Sequence, residues 1–543
     1  MREGGRLSDG ARYEQQAADL AAILEAHDRD QVHRTNSLYV RFDWQTCAEA
    51  DCSGVAVRQD GLCARHAEHG DPESFDRTLA ILRDTGVLDL RGVRVSAALL
   101  ETLLSAAPKD SERKPYLLDV NFQAACFEDA VSFFGVVLKG TSNFNGARFE
   151  KAVSFRVFDG PAYFQDTRFE DRVAADGATF NSFVRFDSAV FHGDAHLGAT
   201  FRGEVICPGA EFRGYAQFLK ASFEGSQGLG EFTGKTVNMA MAEFAGPVSI
   251  RADVDHLDLG SARFRGRTDI HLQRGVLSMP WATFEARSTV SGPGETPPPA
   301  KVASVSHAVL GEMAFRDVDL SQCRFVGAHN LDRLSATGST RFGSVGNRWQ
   351  RRTVTADELA WRASVDPGHW KAPGWPGEIG RPAPPAPRAD EVRAVYRDLR
   401  KGREDAKDEP SAADFYYGEM EMRRLAGRER ADGGQRGRAE QAILTFYWIV
   451  SGYGLRASRA TVALLTTIAA SSILLWAYGF TPRQSPMRTT LFALESSSSL
   501  FRPPDKTGLH LTYTGEFVEI ALRLLGPLFF GFILLSLRGR IKR

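Results

Sequence analysis

The chain has 543 residues, room for about three domains at the usual 100–200 residues each. Apolar residues make up 43%, enough to fill real cores and to exclude wholesale disorder. Lys+Arg and Asp+Glu both number 67, so there is no global basic field to hold nucleic acid by its phosphates, and no nucleic-acid partner is expected.

The opening stretch MREGGRLSDG is polar and lacks an apolar h-region, so no secretory signal is expected and the bulk of the protein is placed in the cytoplasm. Six Cys in so long a chain do not make a disulfide scaffold. Residues 1–115 read as a mixed, mainly helical cap with amphipathic helices over Tyr13–His27, Pro72–Arg83 and Ser96–Ala106. Inside it, Cys47, Cys52, Cys63 and His66 are separated by four, ten and two residues, with Gly54 and Gly61 offering turns between the pairs. Zinc takes four soft or borderline ligands in a tetrahedron, and such spacings let two pairs close on one ion. A structural zinc knuckle is one reading; reduced cysteines beside a surface His, or a redox centre, are the others. All four ligand positions would be filled, so a catalytic metal is not expected. His69 is a spare ligand should His66 face away.

Phe numbers 36 against 12 Tyr and 8 Trp, a bias that points to one repeated core position. From Phe122 a large apolar residue recurs at alternating steps of five and six, through Phe127, Phe133, Leu138, Phe144, Phe149 and Phe155, then on to Phe223. A small residue stands two positions before alternate Phe, as at Ala125, Ala147, Ala178, Ala189, Ala210 and Ala221. The spacing later relaxes to twenty, at Phe244, Phe264 and Phe284. Neither helix nor flat strand has a period of five. A chain that turns a corner every five residues does, stacking coil on coil with the large residue inward and parallel strands about 4.8 Å apart. A β-sandwich is the competing reading, but it would alternate by two.

Triplets such as AlaArgPhe at 147–149, AlaThrPhe at 178–180, AlaGluPhe at 210–212 and AlaSerPhe at 221–223 resemble the pentapeptide-repeat family. The resemblance covers roughly 120–345 and implies a right-handed quadrilateral β-helix, so the fold class is mainly β, with a solenoid at 116–345. The sixth residue in alternate units departs from the family pattern and implies bulged corners or coils nearer twenty-two residues. The helical cap would cover the first coil, an edge that otherwise invites pairing with other chains.

Residues 346–388 read as a Pro/Gly-rich linker, densest over Lys371–Pro387. Helix formers with dense charge follow at Asp390–Lys407 and Ala412–Arg430, giving a helical hairpin over 389–435. Its Glu419 and Glu421 are expected on a solvated face, paired with Arg423 and Arg424.

The last region, 440–543, reads as a membrane domain with an interfacial helix at 440–457, a first span at 460–480, an outer hairpin at 481–515, a second span at 516–537 and a basic tail. Basic flanks at Arg456, Arg459 and Arg538–Arg543 place both termini in the cytoplasm of a multi-pass protein of the inner (plasma) membrane. Buried soluble helices are the competing reading. Glu519 and Arg523, four apart, are expected to snorkel, to pair within the membrane or to line a pore, and Glu495 between the spans joins them as a candidate pore residue. Helix, short amphipathic segment at 490–502, then helix is similar in layout to the pore module of two-span potassium channels. Its carbonyl-lined selectivity filter is absent, with Arg502, Pro503 and Pro504 in that place, so potassium selectivity does not carry over. Stretches such as ArgLysGlyArgGluAsp at 400–405 and TyrTrpIleValSerGlyTyrGly at 447–454 look like bacterial membrane-anchored pentapeptide-repeat proteins, a resemblance that implies no biochemical activity.

No P-loop, dinucleotide fingerprint, HExxH or nucleophile elbow is present, and His192, His196 and His271 read as surface residues, so no enzyme is expected. Some soluble pentapeptide-repeat proteins mimic DNA against topoisomerases, which needs an acidic rod; residues 119–284 hold about 20 acids against about 16 bases. Two readings remain. One is a scaffold with an unidentified protein partner, anchored at the cytoplasmic membrane face. The other is an oligomeric, channel-like effector, assembled through its transmembrane helices and gated by the solenoid.

Overall fold

The structure, a computed structural model, describes residues 44–57, 61–111, 113–346, 351–374, 384–429, 435–498 and 509–541. The helix expected at Tyr13–His27 lies outside the described residues. The fold is a parallel β-solenoid of about 11 turns, flanked by helices at both ends and followed by two long apolar helices.

Inward-facing aromatic residues build the solenoid. One row runs Phe127, Phe149, Phe169, Phe191 and Phe212, with successive ring centroids 4.4–5.1 Å apart. A second runs Phe158, Phe180, Phe201, Phe223, Phe244, Phe264 and Phe284, spaced 4.6–5.1 Å and tilted by no more than 13°. Each ring is buried, and each step in these rows is one parallel strand pairing, as between Phe244 and Phe264. A buried Phe contributes about 1.5–3 kcal/mol by removal from water, and a stacked pair about 0.5–1.5 kcal/mol more.

Pairing also settles the five/six irregularity. Val137 pairs with Val157 and Val157 with Thr179, so successive coils take 20 and then 22 residues. Phe158, which falls outside the five/six run, fills the row between Leu138 and Phe180. Ala175 takes the inward place between Phe155 and Leu197. Where Ala-x-Phe occurs, the residue before Ala is usually left-handed: Ala124, Gly146, Ser188, Gly209, Lys220, Met241, Ser261, Trp281 and His307 have φ of 54–70°. The Ala N–H closes the turn on the inward residue three back, as Ala125 does on the Phe122 carbonyl at 3.0 Å. A left-handed non-glycine residue costs about 1–2 kcal/mol, so these corners persist because the stacked rungs over-determine them.

From Gln227 the coil changes character. Gln227–Asn238 and Val248–Asp258 are single strands of 12 and 11 residues that run across a former corner. Val248, Ile250, Ala252 and Val254 are buried with polar or exposed residues between them, an alternation by two. Only the row ending at Phe284 keeps the Ala-x-Phe signature, which is why the sequence spacing relaxes to twenty.

Both ends of the solenoid are covered. Helices α1 (Ala64–Gly70), α2 (Pro72–Thr85) and α3 (Ala97–Ala106) lie at the start, and parallel pairing begins at Val87–Asp89 with Asp119–Asn121. Ser96 caps α3, whose Leu99, Leu100 and Leu103 are buried in the same core as Leu88, Val95 and Leu117. At the far end, region 346–388 is more than a linker. Arg352–Val354 pairs antiparallel with Gly343–Val345, and α4 (Ala356–Val365) follows. Helix α5 (Ala389–Asp405) lies over the last coil. It buries Val392, Val395, Tyr396 and Leu399 and approaches so closely that a Cβ on Gly402 would stand 2.6 Å from the Asp332 carbonyl. Helix α6 (Glu409–Glu429) packs against α5, and α7 (Gln435–Ser451) leads to α8 (Ala457–Leu474), α9 (Pro486–Ser498) and α10 (Tyr513–Ile541).

Candidate functional site

The Cys/His knuckle is assembled by short backbone contacts. Cys47 N–H donates to the Gly54 carbonyl at 2.7 Å, and the Thr46–Val55 bridge closes the loop that carries Cys47 and Cys52. Cys63 stands at the N-cap of α1, which sets His66 one turn on, facing the thiols. A Cβ on Gly54 would lie 2.9 Å from that of Cys63, so only glycine permits the two halves to meet. Trp44 Nε1 donates to the Ser53 carbonyl and Ser53 Oγ to the Gly92 carbonyl, fixing the knuckle to the first coil.

The ligand atoms of Cys47, Cys52, Cys63 and His66 all lie within 4.8 Å of one another. Cys52 and Cys63 Sγ are 3.8 Å apart, and His66 Nδ1 is 3.3 Å from Cys47 Sγ and 3.6 Å from Cys63 Sγ. Ligands bonded at about 2.3 Å to a tetrahedral ion stand about 3.8 Å apart, so the set fits zinc. Burial beside the other thiols pushes Cys63 up to about 12 and raises Cys52. Burial acts the same way on Cys47, but hydrogen bonds from the Glu49 backbone, His66 and Cys63 outweigh it and bring this thiol down to about 7. A bound divalent cation would supply the charge that lets three clustered thiols ionise together. His69 is exposed beside Glu68 at 3.8 Å and stands apart from the cluster.

A second site lies where the solenoid meets the apolar helices. Asp357, at the start of α4, accepts from the Phe325 backbone N–H at 2.7 Å and lies 3.8 Å from Arg324, tying α4 to the last coil. Its neighbour Glu358 is fully buried and takes charged contacts from Arg352 and Arg362 and the hydroxyl of Tyr396. Arg362 reaches on to Glu421 at 3.4 Å, and Glu421 accepts from Arg424 at 2.9 Å and from Tyr453 Oη at 2.8 Å. Beyond Tyr453, the Gly454 carbonyl accepts from Ser536 Oγ of α10 at 2.9 Å. One run of polar contacts therefore joins the last coil to the second apolar helix. Burial pushes Asp357 up to about 6. Burial would raise Glu358 too, but the Arg352 charge overrides it and holds that carboxyl at about 2. Burial and the Glu358 and Glu421 charges raise the phenols of Tyr396 and Tyr453.

Glu419 and Glu421 are thus buried rather than solvated. Glu419 pairs with Arg400 of α5 at 2.9 Å, while Arg423 turns to Glu440 of α7. Sequence reasoning missed Arg352, Glu358, Arg362 and Tyr396. The available signal was Thr355-x-x-Glu358, a capping-box spacing inside the expected linker. Thr355 Oγ1 does accept from Glu358 N–H, but the carboxylate turns inward to the arginines, and Thr355 N–H goes to Tyr396 Oη at 3.1 Å.

Ala457–Gly479, with 23 residues, and Tyr513–Ser536, with 24, are long and apolar enough to cross a membrane. Val462, Leu465, Ile473, Phe517, Ile520, Leu524 and Leu534 point outward and exposed, unlike the faces of buried soluble helices. Helix α9 packs against α10 so tightly that a Cβ on Gly526 would stand 2.0 Å from the Ser497 carbonyl. Glu519 is buried with Arg523 Nη1 3.6 Å away, and Glu495 is exposed on α9, apart from that pair. The solenoid histidines keep separate surface neighbours: His192 Glu170, His196 Asp176 and His271 Ser291.

Comparison with protein-family models gives no match, and neither curated proteins nor solved structures match the chain.

Proposed function

We propose that this chain is a non-enzymatic scaffold of the pentapeptide-repeat type, a right-handed four-sided β-helix anchored to the cytoplasmic face of the cell membrane. Both termini are cytoplasmic, the knuckle carries a structural zinc ion, and the polar faces of the rod receive a protein partner. The observation that carries this reading is the buried polar run from Asp357 through Glu358, Glu421 and Tyr453 to Ser536. A rod tied so firmly to apolar helices is suited to holding a partner at a fixed position relative to the bilayer. Proximity labelling in the native cell, with the full chain and with a variant lacking 457–541, tests it: a reproducible partner set that disperses without the spans is expected. A full chain that stays in the aqueous phase on detergent partition overturns the anchor. One zinc per chain, lost on Cys63→Ser, is expected for the knuckle.

The channel-like reading draws on α9, held against both spans, and on the buried Glu519. It requires ion flux in proteoliposomes that changes on Glu495→Gln, Glu519→Gln or Arg523→Gln. Flux that is absent, or indifferent to these changes, rejects it.

A further inference from the structure

At the level where α8 begins and α10 nears its end, the junction opens into a cleft of about 370 Å³. Its size falls within the range of small-molecule sites, and four arginines, Arg351, Arg352, Arg456 and Arg459, contribute to its wall. Arg352 is committed to Glu358. Arg456 lies over the Tyr417 ring at 5.2 Å and Arg459 over Trp448 at 5.0 Å, aromatic platforms that hold both guanidinium groups in place. Of the three carboxylates in the wall, Asp414 accepts from the Thr353 backbone at 2.9 Å and Glu404 is paired with Arg400 at 2.7 Å, leaving Glu409 as the third.

Three further observations define what the cleft would hold. The first turn of α8 has no side-chain cap, and its positive end opens beside Ser458 in the cleft wall. Burial, with the nearby charges of Arg459 and Arg352, lowers the Arg456 pKa, so positive charge is crowded there and an anion would relieve it. The wall also includes Leu535, an exposed apolar residue of the second span, next to Ser536. Cationic groups on one side and a span's apolar surface on the other match the two halves of a phospholipid.

We propose that this cleft binds the phosphate of an anionic phospholipid headgroup, with Arg456 and Arg459 as its charged ligands, Ser458 and the first turn of α8 as neutral donors, and Leu535 against the acyl chain. The proposal rests on the membrane reading above and adds headgroup selectivity to it. Bound lipid would wedge between the neck and the spans, beside the Gly454–Ser536 contact.

The test uses the full chain in nanodiscs of phosphatidylcholine, with and without phosphatidylglycerol, followed by native mass spectrometry of retained lipid and thermal unfolding. Wild type is expected to retain phosphatidylglycerol selectively and to unfold at higher temperature with it. Arg456→Gln/Arg459→Gln is expected to weaken retention about tenfold or more, since each charge-assisted contact is worth about 1.5–3 kcal/mol. Should that variant fail to fold, Ser458→Glu, which places a negative charge in the cleft while leaving both platforms intact, is expected to abolish selectivity. An Arg538→Gln/Arg540→Gln tail variant is expected to retain it. Equal retention of both lipids by wild type, loss only in the tail variant, or retention unchanged in Ser458→Glu overturns the proposal. So does saturation by inorganic phosphate in detergent with no added effect of lipid, which would make the cleft a free-phosphate site. Failure to enter nanodiscs at all would instead defeat the membrane reading.

Discussion

The solenoid and the neck are built on opposite principles. In the solenoid one local rule is repeated: an inward Phe, a small corner residue and a parallel pairing with the coil on either side, so each coil is held by its neighbours. In the neck nothing repeats. Glu358 alone joins a strand, two helices and, through Arg362 and Glu421, the loop that reaches α10. Damage in the first region should therefore stay local, whereas damage in the second should travel.

The sharpest break is Phe264→Ala. It removes one ring from a stack spaced at 4.7 Å on both sides and is expected to cost about 3–5 kcal/mol, with lost hydrogen-exchange protection limited to nearby coils. Uniform loss along the rod would refute quasi-one-dimensional stability. Next, Glu358→Gln leaves buried Arg352 without its counter-charge and is expected to cost about 3 kcal/mol. Its exchange signature should extend across α4, α5 and α6 to residues 451–456; a change confined to α4 would mean that the run of contacts does not couple these elements.

Two adjacent carboxylates then make the neck respond to pH in opposite senses. Asp357 has its folded pKa raised from 3.8 to about 6, so the stability from its protonation is complete below 3.8 and is lost as pH rises through about 6. Glu358 is lowered from 4.5 to about 2, so its contribution is complete above 4.5 and is lost as pH falls through about 2. Of this pair, only Asp357 titrates between about 4.5 and 6, and its contribution should fall with rising pH there. Asp357→Asn should remove that part of the slope in denaturant titrations, and an unchanged slope would reject the assignment. The mildest change, Tyr453→Phe, deletes the hydroxyl between Glu421 and Arg424 and is expected to cost about 1–2 kcal/mol, read as faster exchange in 451–456 with the solenoid untouched.

The same contrast explains what could be read in advance. A rule repeated along the chain leaves a periodic trace, so the Phe rungs and the coil length of about twenty to twenty-two residues were legible from Phe122 onward. The trace failed where the backbone changed local form. Phe158 sits three residues after Phe155 because that coil is short, and Val248–Asp258 alternates by two because its corner has straightened. The Cys47–His66 spacing was legible because metal geometry constrains spacing directly. The Glu358 cluster was not, since its members come from separate elements and each looks like an ordinary helix charge. Glu419 and Glu421 were misplaced for the same reason: sequence gives a helix face but not what packs on it.

The coil count also fixes a length. With a rise of about 4.8 Å per turn, about 11 turns place the metal-binding end roughly 50 Å along the axis from the neck. Because each turn is a whole number of residues, gain or loss of one turn would change that reach by a single step without altering either end. The rod is in that sense a molecular ruler, graduated in units of one strand spacing.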